Sequence, residues 1–212
     1  MKFVLNILKA FLINFCFIGI IFANISCPAI TPKMAKDSPS HQVEAIISDV
    51  ICSFRDFHSQ NNGTFSNTLN LTKRKILPFI DLEYTTQLAL GKHWNQLVSK
   101  DMKIFERDVK NLLIQEYVPY LSGSLDWEKI NVSVNNDFIQ SDNIAKVDVF
   151  ISIENENLGA LVTLKLIRKD RWRIFDLNIQ SISIVDILKI GYDSKIKRNG
   201  LKNLLQILLK KS

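Results

Sequence analysis

The hydrophobic period of the chain changes near Glu128, from an apolar residue every three or four positions to one every second position. That switch orders the whole fold, because a period of 3.6 marks a helix burying one face and a period of 2 marks a strand. Upstream of it, Val43, Ile46, Ile47, Val50, Ile51 and Phe54 form a helical stripe that Ser38 and Pro39 are placed to start, as N-cap and first-turn proline. The Asn-rich stretch 59–70 reads as a loop or a broken helix. Asp81 is placed to cap a second long helix carrying Leu82, Leu88, Ala89 and Trp94. Ser99 starts a third, with Phe105, Val109, Leu112, Leu113 and Tyr117, which should stop near Tyr120 because Ser122, Gly123 and Ser124 follow.

Downstream, four strands are expected. Ile130, Val132 and Val134 alternate with polar residues, and Ala145, Val147, Val149, Ile151 and Ile153 do so with Lys146, Asp148, Ser152 and Glu154. Residues 158–167 and 172–181 complete the set. The connections over 135–143, 155–157 and Lys169-Asp170 are short, which predicts an antiparallel meander. A last helix from about Ser183 to Arg198 is interrupted at Gly200, and Leu201, Leu204, Leu205, Leu208 and Leu209 mark an amphipathic tail. The expected class is α+β: a twisted four-stranded antiparallel sheet whose apolar face is covered by helices.

At 212 residues, 47% apolar and 23% charged, the chain is neither disordered nor a polytopic membrane protein, and it has room for one domain plus a short appended segment. That segment is at the front. Lys2 and Lys9 supply a basic start, and residues 10–23 are an almost unbroken apolar run followed by small residues, the layout of a secretory signal peptide. The run is shorter than the ~20 residues a spanning helix needs, although counting back to Phe3 brings it near the length of an uncleaved anchor. We therefore expect a signal peptide over 1–23, with cleavage as late as residue 29, and a single domain over 30–212. Cys27 invites a lipoprotein reading too, but Asn24 stands where a lipid-modification box carries an aliphatic residue. Export implies an oxidising compartment, the periplasm. With Cys52 and Cys27 the mature chain has at most one disulfide, and Cys52, inside an apolar stripe, is expected as a buried free thiol. The net charge of +6 falls to +4 once Lys2 and Lys9 are set aside, which describes a solvated basic surface before it describes a partner.

Signatures of catalysis are missing. There is no G-x-S-x-G elbow, phosphate-binding glycine loop, dinucleotide fingerprint, H-E-x-x-H or C-x-x-C. His41, His58 and His93 have no cysteine or carboxylate at ligand spacing, so neither a metal nor a cofactor is expected. Glu154 and Glu156 flank a turn, where carboxylates are ordinarily solvated. The basic clusters 73–75 and 195–198 lack an aromatic platform, which argues against a nucleic-acid partner. These residues by themselves describe an exported α+β domain that is not an enzyme.

Two stretches add a resemblance. Pro78-Phe79-Ile80-Asp81, Leu90-Gly91-Lys92-His93-Trp94, Phe105, Leu112-Leu113 and residues 117–121 resemble the central helices of the MlaC family, the toluene-tolerance auxiliary proteins, which are periplasmic phospholipid-binding proteins of the outer-membrane lipid-asymmetry pathway. Residues 172–185, with Gly200 and Leu204-Leu205, resemble its W-x-V-x-D-V-x-I-E-G-V-S-L-V segment and C-terminal helix. The chain departs from that pattern at Gln180 and Ser181, which replace the glutamate and glycine, and at Leu188 and Lys189, which replace a Tyr-Arg pair; Lys189 keeps the charge but loses the bidentate fork.

The resemblance implies a shape like the nuclear-transport-factor-like fold, with helices and a curved sheet enclosing an apolar cavity. It also implies a carrier, suited to being a monomer, that shuttles phospholipid between an outer-membrane lipoprotein complex and an inner-membrane ABC transporter, maintaining lipid asymmetry and solvent tolerance. The expected tail contacts are Val147, Val149, Ile151, Val162, Leu164 and Phe175 from the strands and Phe79, Phe105, Val109, Leu112 and Tyr117 from the helices. The competing readings are an enzyme on the same cone-shaped fold, with Asp176 or Tyr117 transferring a proton, and an adhesion or assembly module acting through its surface alone.

Overall fold

The computed structural model describes residues 38–60, 62–123, 125–135, 139–141, 143–154 and 159–210. The leading segment with its cleavage region, Cys27, the 155–157 turn and Leu158 lie outside them. Helix α1 (Pro39–Ser59) begins where the proline predicts, with Ser38 in extended N-cap geometry. The Ser38 hydroxyl makes no cap, pairing instead with that of Ser40 at 2.9 Å.

Of the loop and the broken helix that the Asn-rich stretch left open, the structure has the broken helix: the chain leaves α1 at Ser59 and resumes as α2 (Phe65–Lys75). Asn is a poor helix former, but Thr64 caps the first turn by accepting from the Asn67 amide, and Leu71 is buried among Phe54, Trp127 and Ile130. Tertiary burial outweighs propensity here. A 3-10 turn (Leu77–Phe79) leads to α3 (Leu82–Leu90), where Asp81 Oδ1 accepts from the Tyr84 amide at 3.0 Å. The second helix is therefore short. Gly91, at φ +51°, ends it, and a 3-10 segment (Gly91–Gln96) carries Trp94 into the core. Helix α4 (Ser99–Gly123) runs past Pro119 and three residues beyond the expected stop at Tyr120.

Six strands follow where alternation predicts four: β1 (Ile130–Val134), β2 (Ile139–Ser141), β3 (Ile144–Ile153), β4 (Gly159–Arg168), β5 (Trp172–Ile179) and β6 (Ile182–Ser183). The two extra strands are too short to display a period. All neighbours are antiparallel, five abreast in the order β1-β3-β4-β5-β6, with β2 pairing the start of β3 and β1 its end. The register aligns Val147 with Leu164 and Leu177, and Val149 with Val162 and Ile179, so one face is apolar throughout. Between Ile174 and Asp176 the register slips, leaving Phe175 as the extra residue of a bulge. Helix α5 (Ile184–Asn199) starts on the Ser183 cap, and Gly200, at φ +76°, separates it from α6 (Leu201–Lys210).

Two cores result. On the sheet, α1 presses Val43 against Val147, Val149, Leu164 and Trp172. Gln42, 1% exposed, locks this contact with its side-chain amide, which donates to the Trp172 carbonyl and accepts from the Trp172 amide. Away from the sheet, Leu90, Trp94, Phe105, Val109, Tyr192, Ile196, Leu204 and Leu208 join α3, α4, α5 and α6. Burial pushes the Tyr192 phenol far above its ordinary range, assisted by the Asp108 carboxylate to which it donates at 2.7 Å. Cys52 is disulfide-bonded, not the free thiol expected from its apolar surroundings; its partner lies outside the described residues.

The β5–β6 hairpin turns on Gln180 and Ser181, both at positive φ (+49° and +71°), as a two-residue type I′ turn requires. Glycine populates this region without the Cβ penalty, against a loss of chain entropy. Ser181→Gly is expected to raise the unfolding free energy by about 0.5–1 kcal/mol, read as a higher urea midpoint at unchanged slope. A lower midpoint would mean that the serine side chain contributes more than its backbone costs.

Candidate functional site

The bulge at Phe175 is held from both sides by aspartates, Asp176 through its carboxylate and Asp81 through its main-chain amide. Asp176, 5% exposed, accepts from Lys165 Nζ and from the Ser183 hydroxyl, each at 2.8 Å, through Oδ2, and from the Val185 amide at 3.0 Å through Oδ1. One side chain thus ties β5 to β4 and to the first turn of α5. On the other side the Asp81 amide donates to the Ile174 carbonyl at 2.8 Å, and Asp81 Oδ2 pairs with Lys169 Nζ at 2.8 Å. The Thr85 hydroxyl lies 2.8 Å from both the Asp81 and the Phe175 carbonyls. These bonds fix the N-terminus of α3 against the same strand.

With α3 and α5 anchored at either side of the bulge, the helices stand off the sheet and enclose a cavity of about 210 Å³. One wall is Ile174, Phe175, Leu177 and Ile179 of β5. The facing wall is Leu113, Ile114, Tyr117, Val118 and Leu121 of α4. Ile76, Leu77 and Ile80 close it from the end of α2 and the turn after it, and Ile184 from the start of α5. The lining is almost wholly apolar, so the space suits hydrocarbon and repels ions.

Neither titratable liner is poised for proton transfer. Three donors already occupy the Asp176 oxygens. Burial raises the Tyr117 phenol above its ordinary value, with the Glu116 carboxylate adding to the shift, so it is a neutral phenol at neutral pH. Among the described residues no group of three or more His, Cys, Asp or Glu is placed to hold a metal, and no helix is long and apolar enough to cross a membrane.

Of the eleven tail contacts expected from sequence, the structure brings Tyr117 and Phe175 together at the cavity. Phe105 and Val109 are fully buried in the helical core, and Leu112 packs against its edge. Val147, Val149 and Leu164 lie under α1, with Ile151 and Val162 packed beside them. Phe79 is half-buried, its ring 5.4 Å from the Arg171 guanidinium carbon. The sequence reasoning did not single out most of this lining as tail contacts: Leu113, Val118, Leu121, Ile174, Leu177 and Ile179 entered only within an apolar stripe, a strand or the stretches of family resemblance, and Ile114 not at all. A signal existed in α4, whose apolar positions span two faces, more than one core needs.

Comparison with known proteins sets this geometry among relatives. The family model described as MlaC protein matches residues 44–210. Among solved structures, a phospholipid-binding protein from Ralstonia solanacearum in complex with a phospholipid is similar, with a TM-score of 0.70, 22% identity and coverage of 82% of this chain and 96% of that one. At that identity the likeness establishes a shared fold. Among curated proteins no match is found.

The Asp176 account is testable by stability. Asp176→Asn leaves the Lys165 ammonium without its counter-charge next to a buried site and weakens the anchor of α5. The expected loss is about 2–3 kcal/mol in urea unfolding, below the figure for a fully buried pair because Lys165 is partly exposed. A loss under about 0.5 kcal/mol would remove Asp176 as the anchor, since that is the range of ordinary surface changes.

Proposed function

The chain belongs to the MlaC family, and on that premise we propose that it is a phospholipid carrier which encloses acyl-chain segments in the apolar cavity between β5 and α4. The carrying observation is the cavity itself: a space bounded by aliphatic and aromatic side chains, with its one carboxylate turned into structural bonds. Each methylene removed from water is worth about 0.8 kcal/mol, so exposing a ~16-carbon chain costs on the order of 12 kcal/mol. A protein that moves lipid through water must shield that chain, and a lipid headgroup can remain wet at the mouth. The phospholipid complex of the structural neighbour supports the reading.

The finer parts of the proposal follow from the family and the leading segment. The 1–23 segment directs the chain to the periplasm and is removed, leaving a single domain from about residue 30. The disulfide at Cys52 supports an oxidising compartment. There the carrier acts as a monomer, passing phospholipid between an outer-membrane lipoprotein complex and an inner-membrane ABC transporter, in the maintenance of outer-membrane lipid asymmetry and solvent tolerance. Binding rather than catalysis is its task, since Tyr117 and Asp176 contribute a wall and an anchor.

Mature protein purified without detergent, extracted with organic solvent and analysed by lipid mass spectrometry, is expected to yield stoichiometric phospholipid. Leu113→Trp, which fills the cavity from α4, should reduce occupancy by about tenfold or more, the size expected when one large side chain displaces buried hydrocarbon worth over 1.4 kcal/mol. No phospholipid in the wild-type extract, with added phospholipid also failing to bind, would reduce the family relationship to one of fold.

A further inference from the structure

Cys52 is disulfide-bonded and only 6% exposed, and its partner follows by elimination. The chain holds two other cysteines, Cys16 and Cys27. A bond between the Cys52 side chains of two copies would need both sulfurs within about 2 Å, which side chains buried in their own folds do not reach. Cys16 stands in the middle of the apolar run 10–23, the part that signal cleavage removes. Cys27 is left, and its sulfur is available only where cleavage precedes it and no lipid is attached to it.

The surroundings of Cys52 say where the attached chain runs. Cys52 lines a groove of about 370 Å³ between α1 and β1, with Glu44, Ile47 and Ile51 from the helix and Val132 and Val134 from the strand. Among the described residues β1 pairs with β3 alone. The Asn135 amide donates to the Asp148 carbonyl, so by the alternation of an antiparallel ladder the main-chain groups of Val134 and Val132 point away from β3. On that side Arg55 of α1 donates to the Ile130 carbonyl at 2.6 Å. Residues 28–37 connect Cys27 to Ser38, the N-cap of α1. The way back from Cys52 to Ser38 along the helix is about 21 Å, and the chain from Cys27 to Ser38 spans about 34 Å at the polyproline II rise. It is long enough to make the return. Pro28 and Pro32 favour an extended path, Ile30 and Met34 supply apolar side chains, and Lys33 and Lys36 precede the end of the groove where Glu44 stands.

We propose that residues 27–37 form a strap, bonded by Cys27 to Cys52, that lies in the α1–β1 groove with Ile30 and Met34 against Ile47, Ile51, Val132 and Val134. The bond arises by exchange with the disulfide of an oxidant protein: one S–S bond forms, one breaks, and the two electrons and two protons leave on the oxidant as a dithiol. The strap covers an outer edge of the sheet that is otherwise open to pairing with another chain. It places signal cleavage between Cys16 and Cys27, which excludes both a cut at residue 29 and lipidation of Cys27. The groove and the lipid cavity have no lining residue in common, so the strap stands independently of the carrier reading.

Mature protein secreted into an oxidising periplasm, alkylated without reduction and digested, is expected to give a linked Cys27–Cys52 peptide by mass spectrometry, with the N-terminus between residues 17 and 27. An alkylated Cys52, a Cys52–Cys52 dimer, a Cys16–Cys52 link, a lipid on Cys27 or an N-terminus beyond Cys27 overturns the bond. Methyl-resolved NMR of the oxidised protein tests the groove: contacts of Ile30 and Met34 with Ile47, Ile51, Val132 and Val134 are expected, and their absence overturns the docking even where the disulfide is present. Cys27→Ser should remove those contacts and speed hydrogen exchange at the Val132 and Val134 amides tenfold or more. Equal exchange in the two proteins means that the strap does not cover the edge and overturns that part of the proposal. If Cys27→Ser does not fold, the contacts in the oxidised wild type decide the matter.

Discussion

Everything about this cavity depends on how the bulge in β5 is held. A buried carboxylate needs donors on both oxygens, and Asp176 finds them on three different pieces of chain: Lys165 on β4, Ser183 at β6 and the Val185 amide at the first turn of α5. The cost of burying the charge is offset only when those pieces meet in one arrangement. The same strand accepts α3 through the Ile174 carbonyl and the Thr85 hydroxyl. Polar bonds at the rim of β5 set the distance between helices and sheet, and the apolar residues between them are left lining a space instead of filling it.

This division of labour separates the solid parts of the molecule from the hollow part. Under α1, Gln42 and Trp172 clamp helix to sheet and Val43, Val147 and Leu164 fill the interval. Around Phe105 and Tyr192 the four helices close on themselves. Between those two cores β5 and α4 face each other without a third layer, and the proposed lipid occupies that interval. The ligand would then stand in for core side chains, which is why the site carries hydrocarbon-like chemistry and few polar contacts.

Sequence periodicity reached much of this. The switch near Glu128 located the helical half and the four long strands, and Pro39, Asp81 and Gly200 marked boundaries that the structure keeps. It failed where the cause is tertiary. The Asn-rich stretch left a loop and a broken helix both open, and only the burial of Leu71 against Phe54 and Trp127 decides for the helix; the short strands β2 and β6 have no room for a period. Cys52 sits in an apolar stripe, as a free thiol does, and yet is disulfide-bonded. The site was the least legible part. Alternation on β3 and β4 identifies the apolar face but not where a helix already covers it, so Val147, Val149 and Leu164 looked like cavity residues. The slip at Phe175 leaves no local mark in composition. Ile114, Val118 and Leu121 stand on a second apolar face of α4 that a one-stripe reading passes over.

The central claim is that the interval between β5 and α4, and not the core under α1, receives the lipid. Methyl-resolved NMR of isotope-labelled protein titrated with phospholipid addresses it most directly. The account predicts shifts and lipid-to-methyl contacts at Leu113, Ile114, Ile174, Leu177, Ile179 and Ile184, with Val43, Val147 and Val149 silent. Contacts concentrated under α1 at Val43, Val147 and Val149, with the β5–α4 methyls unmoved, would contradict it.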